Sequence, residues 1–598
     1  MQVTNDVHQQ FADYFPSPAL KPYLYLLSKK LSEGHICIDI NKINQNELTA
    51  AGYQDKMPAE KIKTDNLVSD GNIIRPFVLL NDQLYLHRYF NYETIILNKI
   101  AAFIEKEQEQ RSEKLNILKA HLPFIKELLK ENNENFKNVT NWQMAAVITA
   151  LINNFTIITG GPGTGKTTTV AKILSILYSF NPLLKVALTA PTGKAAARMK
   201  ESLENADAVS ADIKDKFKSL IPSTLHRLLG YVKNSPNFKS NEKNPLHYDV
   251  VIADESSMID VALFAKLLSA IGPDTKLILL GDKDQLASVE AGSLFGDLCL
   301  AQSKLNLMSA ERLTLINSFT DEIGQMIGNE NIHNNASHPL FEHIIELQFS
   351  RRFKDVEGIG KFSKAIIKNK EAAIKDFFIN SDKQVFIDIN YSEEIFKSFV
   401  LGYKAFTEET DIKKALELIN NLRVLCAVRE GEQGLYAINK KIEKILEDSG
   451  LIKVTTDFYI NRLIMVTSNN AELSLFNGDI GIIRNDENEV PRAWFQSGEG
   501  EIKSVLPGYI SNAETVFSMT IHKSQGSEFN KVLVILPKGE DSKILTRELL
   551  YTAVTRAKEN VIVQGNESLI LKTADTFVER GSGIIHRFKQ KDKSFTQQ

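Results

Sequence analysis

The 598 residues carry 71 Lys and Arg against 74 Asp and Glu, a net charge of −3, with 43% hydrophobic side chains. That length suffices for about four domains of roughly 150 residues, each with its own core, and the balanced charge confines any nucleic-acid contact to a local basic groove. Cys37, Cys299 and Cys426 lie far apart with no CxxC pair, which argues against a disulfide framework or zinc site and fits a reducing compartment.

The opening Met1-Gln-Val-Thr-Asn-Asp-Val-His8 is polar, and no apolar run approaches the roughly 18 residues of a membrane span. A soluble, cytoplasmic protein without membrane contact is expected. The first segment holds the apolar runs 23–27, 36–40, 77–80 and 84–86, then a charged, helix-like stretch over 104–130 and an Asn-rich linker at 131–138. It predicts a separate, mainly helical N-terminal domain over 1–118. Tyr85, Leu86, Tyr89, Phe90 and Tyr92 within it are too dense for one helix face, and predict a docking patch unless they fill the domain's own core.

From residue 155 onward short β-branched or Leu-rich runs recur: 155–158, 185–188, 248–253, 276–280, then 423–427, 532–536 and 560–563. Helix-like stretches such as 195–203 and 261–270 separate them, the βαβ pattern of a doubly wound parallel sheet. The runs form two clusters and predict two α/β lobes over 119–305 and 306–598. Strand-like pieces at 462–468, 479–484, 492–496 and 501–505, joined by Gly, Asn and Asp turns, predict a small β-barrel insertion near 450–512.

Chemistry concentrates first at Gly160-Gly161-Pro162-Gly163-Thr164-Gly165-Lys166-Thr167, after one apolar run and before the helix-like 168–178. This is GxxxxGK[ST] in a strand–loop–helix setting. Its backbone N–H groups and the helix N-terminus, with Thr168 behind them, suit the α- and β-phosphates of ATP. Lys166 suits the β/γ oxygens, and the Thr167 hydroxyl suits Mg²⁺. Downstream, Asp254 and Glu255 end a buried run: Asp254 fits the Mg²⁺ shell, and Glu255 fits the base that deprotonates the attacking water. Gln285, in Gly281-Asp-Lys-Asp-Gln285, is placed to sense the γ-phosphate.

Nine segments stand in order: Asn141-Trp-Gln143, the phosphate loop, Thr189-Ala-Pro-Thr-Gly-Lys-Ala-Ala-Ala-Arg198, Asp254-Glu-Ser-Ser, Gly281 to Val289, Ser350-Arg-Arg352-Phe353, Leu475-Phe-Asn-Gly-Asp479, Thr520 to Glu528 and Leu550 to Lys558. Together they resemble superfamily 1 helicases, most closely the RecD family of exodeoxyribonuclease V α subunits, over about residues 10 to 590. The resemblance implies two RecA-like lobes and a 5′ to 3′ DNA helicase that joins RecB-like and RecC-like subunits in double-strand-break repair. It also implies that Gln143 reads adenine, that Glu528 belongs to the ATP site, and that Arg352 and Arg556 reach from the second lobe to the γ-phosphoryl group. Arg351 is read as a surface neighbour, although the order of the pair leaves the finger open between Arg351 and Arg352.

By the same resemblance the DNA strand crosses both lobes, and Thr189, Thr192, Thr224, His226, Thr520 and His522 are short polar groups suited to phosphate oxygens. The two histidines fit core-satisfied rings equally well. The segment near 230–248 sits where the family inserts a strand-separating hairpin, or is a plain surface loop. The 1–118 segment then resembles the family's docking domain, and DNA cleavage would belong to a partner, since no nuclease-like carboxylate cluster stands in the sequence. Two other readings fit the motifs: a stand-alone helicase of the same family, and a regulatory subunit whose ATP site is a switch without unwinding.

Overall fold

A computed structural model describes residues 6–53, 59–130, 136–206, 210–288, 290–292, 294–302, 304–333, 338–353, 357–470, 472–496, 501–539, 544–578 and 580–588. The N-terminal segment is built round a sheet of β1 (Cys37–Asp39), β2 (Val68–Ser69), β3 (Phe77–Leu80) and β4 (Gln83–Leu86), in the order β1–β4–β3–β2. The expectation of a mainly helical domain missed this sheet. Asn81 and Asp82 both take left-handed φ values, 51° and 60°, and so close β3 on β4 as a two-residue hairpin.

The helix His87–Ala120 runs across the expected boundary at 118. Its residues Ile96, Leu97, Ile100 and Phe103 share one core with Phe155, Ile157, Phe264 and Leu268 of the first lobe. One turn further, Glu107 Oε1 accepts hydrogen bonds from the backbone N–H groups of Asn154 (2.6 Å) and Phe155 (2.7 Å), while Oε2 meets His343 Nε2 at 2.7 Å. The ring cluster expected to dock a partner is consumed by the same packing: Tyr85 and Phe90 are buried, Tyr89 and Tyr92 lie against the first-lobe core, and Leu86 lies against the N-terminal core. These side chains are packing and not an open patch.

The first lobe's sheet joins β5 (Phe155–Thr159), β6 (Val186–Ala190), β7 (Ser223–Thr224), β8 (Val250–Ala253), β9 (Lys276–Gly281) and β10 (Ile344–Glu346) in the order β10–β5–β9–β8–β6–β7. Every pairing in it is parallel. Because β10 pairs with β5, the first sheet takes a strand from well beyond the expected division at 305. The segment near 230–248 is a short antiparallel turn held down on the lobe: Lys266 Nζ donates to Pro236 O (2.7 Å), and Lys99 pairs with Glu242 (2.9 Å).

β11 (Val385–Asp388) and β12 (Leu422–Cys426) begin a second parallel sheet. The chain then makes an antiparallel sheet of β13 (Leu463–Val466), β14 (Ile480–Asn485), β15 (Pro491–Gln496), β16 (Ile502–Val505) and β17 (Ala513–Thr515), ordered β16–β15–β14–β13–β17. Among the described residues no pair joins its two edges, so it is an open sheet at the place where a barrel was expected. β18 (Ser518–Thr520), β19 (Phe529–Ile535) and β20 (Ala557–Gln564) complete the second sheet in the order β11–β20–β19–β12–β18. The chain finally returns to its start. Ile584 and Phe588 enter the first-lobe core, and Gly583 N (2.9 Å) and Arg587 (3.1 Å) reach the fully buried Glu93.

A chain beginning at residue 119 loses the helix that covers β5, and is expected to aggregate rather than yield two soluble lobes. Glu107→Ala tests the same joint in the full chain. Two buried N–H groups and a histidine lose their acceptor, at a cost of about 2 to 4 kcal/mol. A denaturation midpoint equal to that of the parent would show that the joint is not structural.

Candidate nucleotide site and interlobe cleft

The phosphate loop springs from β5, and the helix Lys166–Phe180 starts on its last residues. Gly163 and Gly165 hold left-handed φ values of 76° and 88°. A Cβ at Gly165 would stand 2.1 Å from Gln143 Nε2, and one at Gly163 would stand 2.4 Å from Arg352 Cβ. Only glycine permits both the turn and these approaches. Lys166 Nζ folds back on the carbonyls of Gly160 (2.5 Å) and Gly161 (3.3 Å), so its ammonium lies within the loop. Thr167 is half-buried and Thr168 is exposed at the helix start.

Beside the loop opens a pocket lined among others by Phe136, Trp142, Gln143, Phe349 and Arg351. Gln143 Nε2 donates to Thr164 O at 3.1 Å, which fixes the amide, and its buried Oε1 has no donor. An unpaired buried acceptor is costly, and an exocyclic amino group would satisfy it. The Arg351 guanidinium lies over the Phe136 ring at 5.0 Å. Arg351 is exposed, as a surface neighbour would be, and its guanidinium also lines this pocket.

Asp254 and Glu255 follow β8 as expected. Burial, then the charge of Glu255, raises the Asp254 carboxyl to about 6, with Lys166 pulling it back. Glu255 holds a left-handed φ of 50°, an uncommon state for a non-glycine residue at the start of a short 3₁₀ turn. Asp282, after β9, is raised to about 6 by burial and then by Asp284, again with Lys166 opposing. It accepts from Gln285 Nε2 (3.0 Å) and from Tyr551 OH of the second lobe (3.0 Å). The next residue also crosses the cleft: Leu286 N donates to Thr552 Oγ1 (2.9 Å), and Gln525 Nε2 donates to Leu286 O (2.8 Å). Gln285 is thus buried, with its amide on Asp282 beside these contacts to the second lobe.

The two arginines differ in origin. Ser350 to Arg352 leave β10 of the first sheet and lie on the phosphate loop, with Ser350 Oγ donating to Pro162 O (2.9 Å) and Arg351 N to Gly163 O (2.7 Å). Arg352 therefore belongs to the first-lobe side, against the expectation that it reaches from the second. Arg556 does lie on the second lobe, buried, donating to the carbonyls of Thr552 and Ser527 at 3.2 Å each. Arg352 pairs with Glu528 at 2.7 Å, and Arg198, from the helix Gly193–Glu204, pairs with the other carboxylate oxygen at 2.8 Å. Burial would raise the Glu528 carboxyl, but Arg198, Arg352 and Arg556 bring it down to about 2.

Of the groups expected on DNA, Thr189 is wholly buried and Thr520 nearly so. Both sit on strands covered by packing and are not available to a phosphate, which corrects those two assignments. Thr192 and Thr224 cap the helices Gly193–Glu204 and Leu225–Leu229 with their hydroxyl oxygens, each at 3.3 Å from an N–H. His226 is exposed, with its ring edge-on to Phe238 at 5.6 Å. His522 is half-buried, and that burial lowers its imidazole pKa. Residues 143–291 match the AAA domain family, and residues 515–564 match the UvrD-like helicase C-terminal domain family.

The chain is 35% identical to the RecBCD enzyme subunit RecD of Haemophilus influenzae over 86% of this chain and 81% of that one. It is 30% identical to the same subunit of Mycolicibacterium smegmatis over 96% and 94%. The chain belongs to the RecD family. Among solved structures, Bacteroides Pif1 bound to single-stranded DNA matches at 16% identity and a TM-score of 0.38, over 76% of this chain and 97% of that one. What the RecD motifs did not single out is Arg198, quoted without a role, and Phe136, an aromatic beside an Asn-rich stretch.

Because Asp254 titrates near 6 in the fold against about 3.9 unfolded, the native state binds more protons between these values. Its contribution to stability therefore falls as pH rises through about 4 to 6. Asp254→Asn removes that loss: its melting-point gain over the parent, without nucleotide, is expected to be larger at pH 7.5 than at pH 4.5.

Proposed function

We propose that the protein is an ATP-driven 5′ to 3′ DNA helicase, the RecD-like subunit of a cytoplasmic heterotrimer with RecB-like and RecC-like chains that processes duplex ends in double-strand-break repair. The observation that carries the reading is the meeting, in one cleft, of a phosphate loop, the carboxylates Asp254 and Glu255, and an arginine from each side, with the sensor loop hydrogen-bonded to the second lobe. A switch without turnover needs neither Glu255 nor two arginines. The relatives named RecBCD enzyme subunit RecD align over most of their length and favour the complex over a stand-alone enzyme.

Within that reading Gln143 accepts from the adenine amino group, and Phe136 and Arg351 stack on the base. Lys166 leaves its loop carbonyls for the β/γ oxygens. Thr167 and Asp254 fit Mg²⁺, a hard cation that takes few protein ligands beside phosphate oxygens. No cluster of three or more His, Cys, Asp or Glu stands among the described residues, so no all-protein cage competes. The ion when bound offsets charge on the β- and γ-oxygens. Glu255 takes the proton of the attacking water, and Arg352 and Arg556 stabilise the transferring phosphoryl group. Thr192, Thr224, His226 and His522 hold strand phosphates without reading sequence. Partner contact falls to exposed N-terminal side chains such as Ile73 and Ile74.

Glu255→Gln is expected to keep nucleotide binding and to lose turnover by about 100-fold or more, measured as DNA-stimulated phosphate release. Unchanged turnover would remove Glu255 from the chemistry. Lys166→Gln should abolish hydrolysis, measured as DNA-stimulated phosphate release, while the chain still folds. Alanine at Arg352 or Arg556 should raise the barrier by about 2 kcal/mol or more with little change in nucleotide affinity. Arg351→Ala should instead weaken nucleotide binding, because it stacks at the base.

A further inference from the structure

One carboxylate, Glu528, holds two guanidinium groups from the opposite side of the cleft. Arg352 occupies Oε1 at 2.7 Å, and Arg198 occupies Oε2 at 2.8 Å. Arg198 also donates to Gly526 O at 2.8 Å, two residues before. Gly526 has a φ of 70°, and a Cβ on it would lie 3.7 Å from both Ala195 Cβ and Thr192 Oγ1. The second lobe thus lies beside the first turn of the helix that carries Arg198, with room for no more than a Cβ in ordinary contact. Lys558 stands 3.7 Å from the same carboxylate, with its side chain 44% exposed.

Arg352 cannot serve the γ-phosphoryl group while it remains on Glu528. For it to leave, Glu528 must stay neutralised, because a mostly buried carboxylate without a counter-ion costs several kcal/mol. Protonation is not needed for this, since Arg198 stays on the other carboxylate oxygen. Lys558, 3.7 Å away with its side chain 44% exposed, is too distant to replace the 2.7 Å guanidinium contact. Arg556, whose charge also acts on Glu528, is itself assigned to the phosphoryl group, so Arg198 remains, tied to both Glu528 and the Gly526 carbonyl.

We propose that Arg198 is a positioning residue for hydrolysis: it retains Glu528 as its own partner, so that Arg352 transfers from that carboxylate to the γ-phosphate. The inference rests on the proposed role of Arg352. The helix of Arg198 begins at Thr192, one of the candidate DNA contacts, so the strand and the nucleotide act on opposite ends of two helical turns. A strand held at Thr192 fixes the helix that keeps Arg198 on Glu528.

The test is steady-state, DNA-stimulated ATPase activity of the full chain, with nucleotide affinity measured separately. Arg198→Met is expected to lower kcat about tenfold, the scale of one lost charge-assisted contact, with KM and melting point little changed. Arg198→Lys should recover part of the loss. Glu528→Gln in the Arg198→Met background should restore kcat toward that of Glu528→Gln alone, because the neutral amide no longer retains Arg352. A merely structural Arg198 would lower the melting point and show no such rescue. An Arg198→Met enzyme with parental kcat, or a double variant as slow as Arg198→Met, overturns the proposal. Arg352→Ala separates the two readings: if it leaves kcat intact, the role of Arg352 fails. If Arg352→Ala is slow while Arg198→Met is not, only the present inference fails.

Discussion

The charged contacts between the two lobes converge on carboxylates at the cleft. Asp282 receives Tyr551 and Glu528 receives Arg198 and Arg352, with Lys166 close enough to hold down both Asp254 and Asp282. Negative charge gathered at the ends of parallel strands is unfavourable on its own, and burial makes it worse. The cations that offset it come from the phosphate loop, from the helix behind β6, and from the segment leaving β10. A phosphate group entering the cleft competes for the same cations. The carboxylates and the cations that offset them therefore tie the two lobes together at the cleft.

The rest of the chain keeps that cleft in register. The 34-residue helix from His87 to Ala120 starts on the N-terminal sheet and ends beside the first lobe. The C-terminal segment crosses back to Glu93 on the same helix. Burying Glu93 fully would be costly alone, but Arg587, the Gly583 N–H and Tyr85 satisfy it. The N-terminal segment is for this reason a brace of the motor as much as a domain. Its aromatic residues face inward because the helix that carries them has a lobe on one side and its own sheet on the other.

The sequence by itself determined the phosphate loop, the Asp254–Glu255 pair, the order of the nine motifs and most strands of both sheets. These are local signals: a glycine-permitted turn, an apolar run of strand length, a carboxylate at its end. The strand pieces between 462 and 505 were legible for the same reason, as alternating runs between turn residues. Only the tertiary structure decided that β10 returns to the first sheet, that Arg352 stands on the phosphate-loop side, and that Thr189 and Thr520 are sealed from a phosphate. It also decided that Arg351 lies over the Phe136 ring beside Gln143 and that Arg198 shares a carboxylate with Arg352. Each of these depends on which distant element lies alongside. A short strand such as Ile344–Glu346 has no periodicity long enough to announce its partner, and a guanidinium's role is set by the carboxylate or phosphate within its reach, which spacing along the chain does not encode.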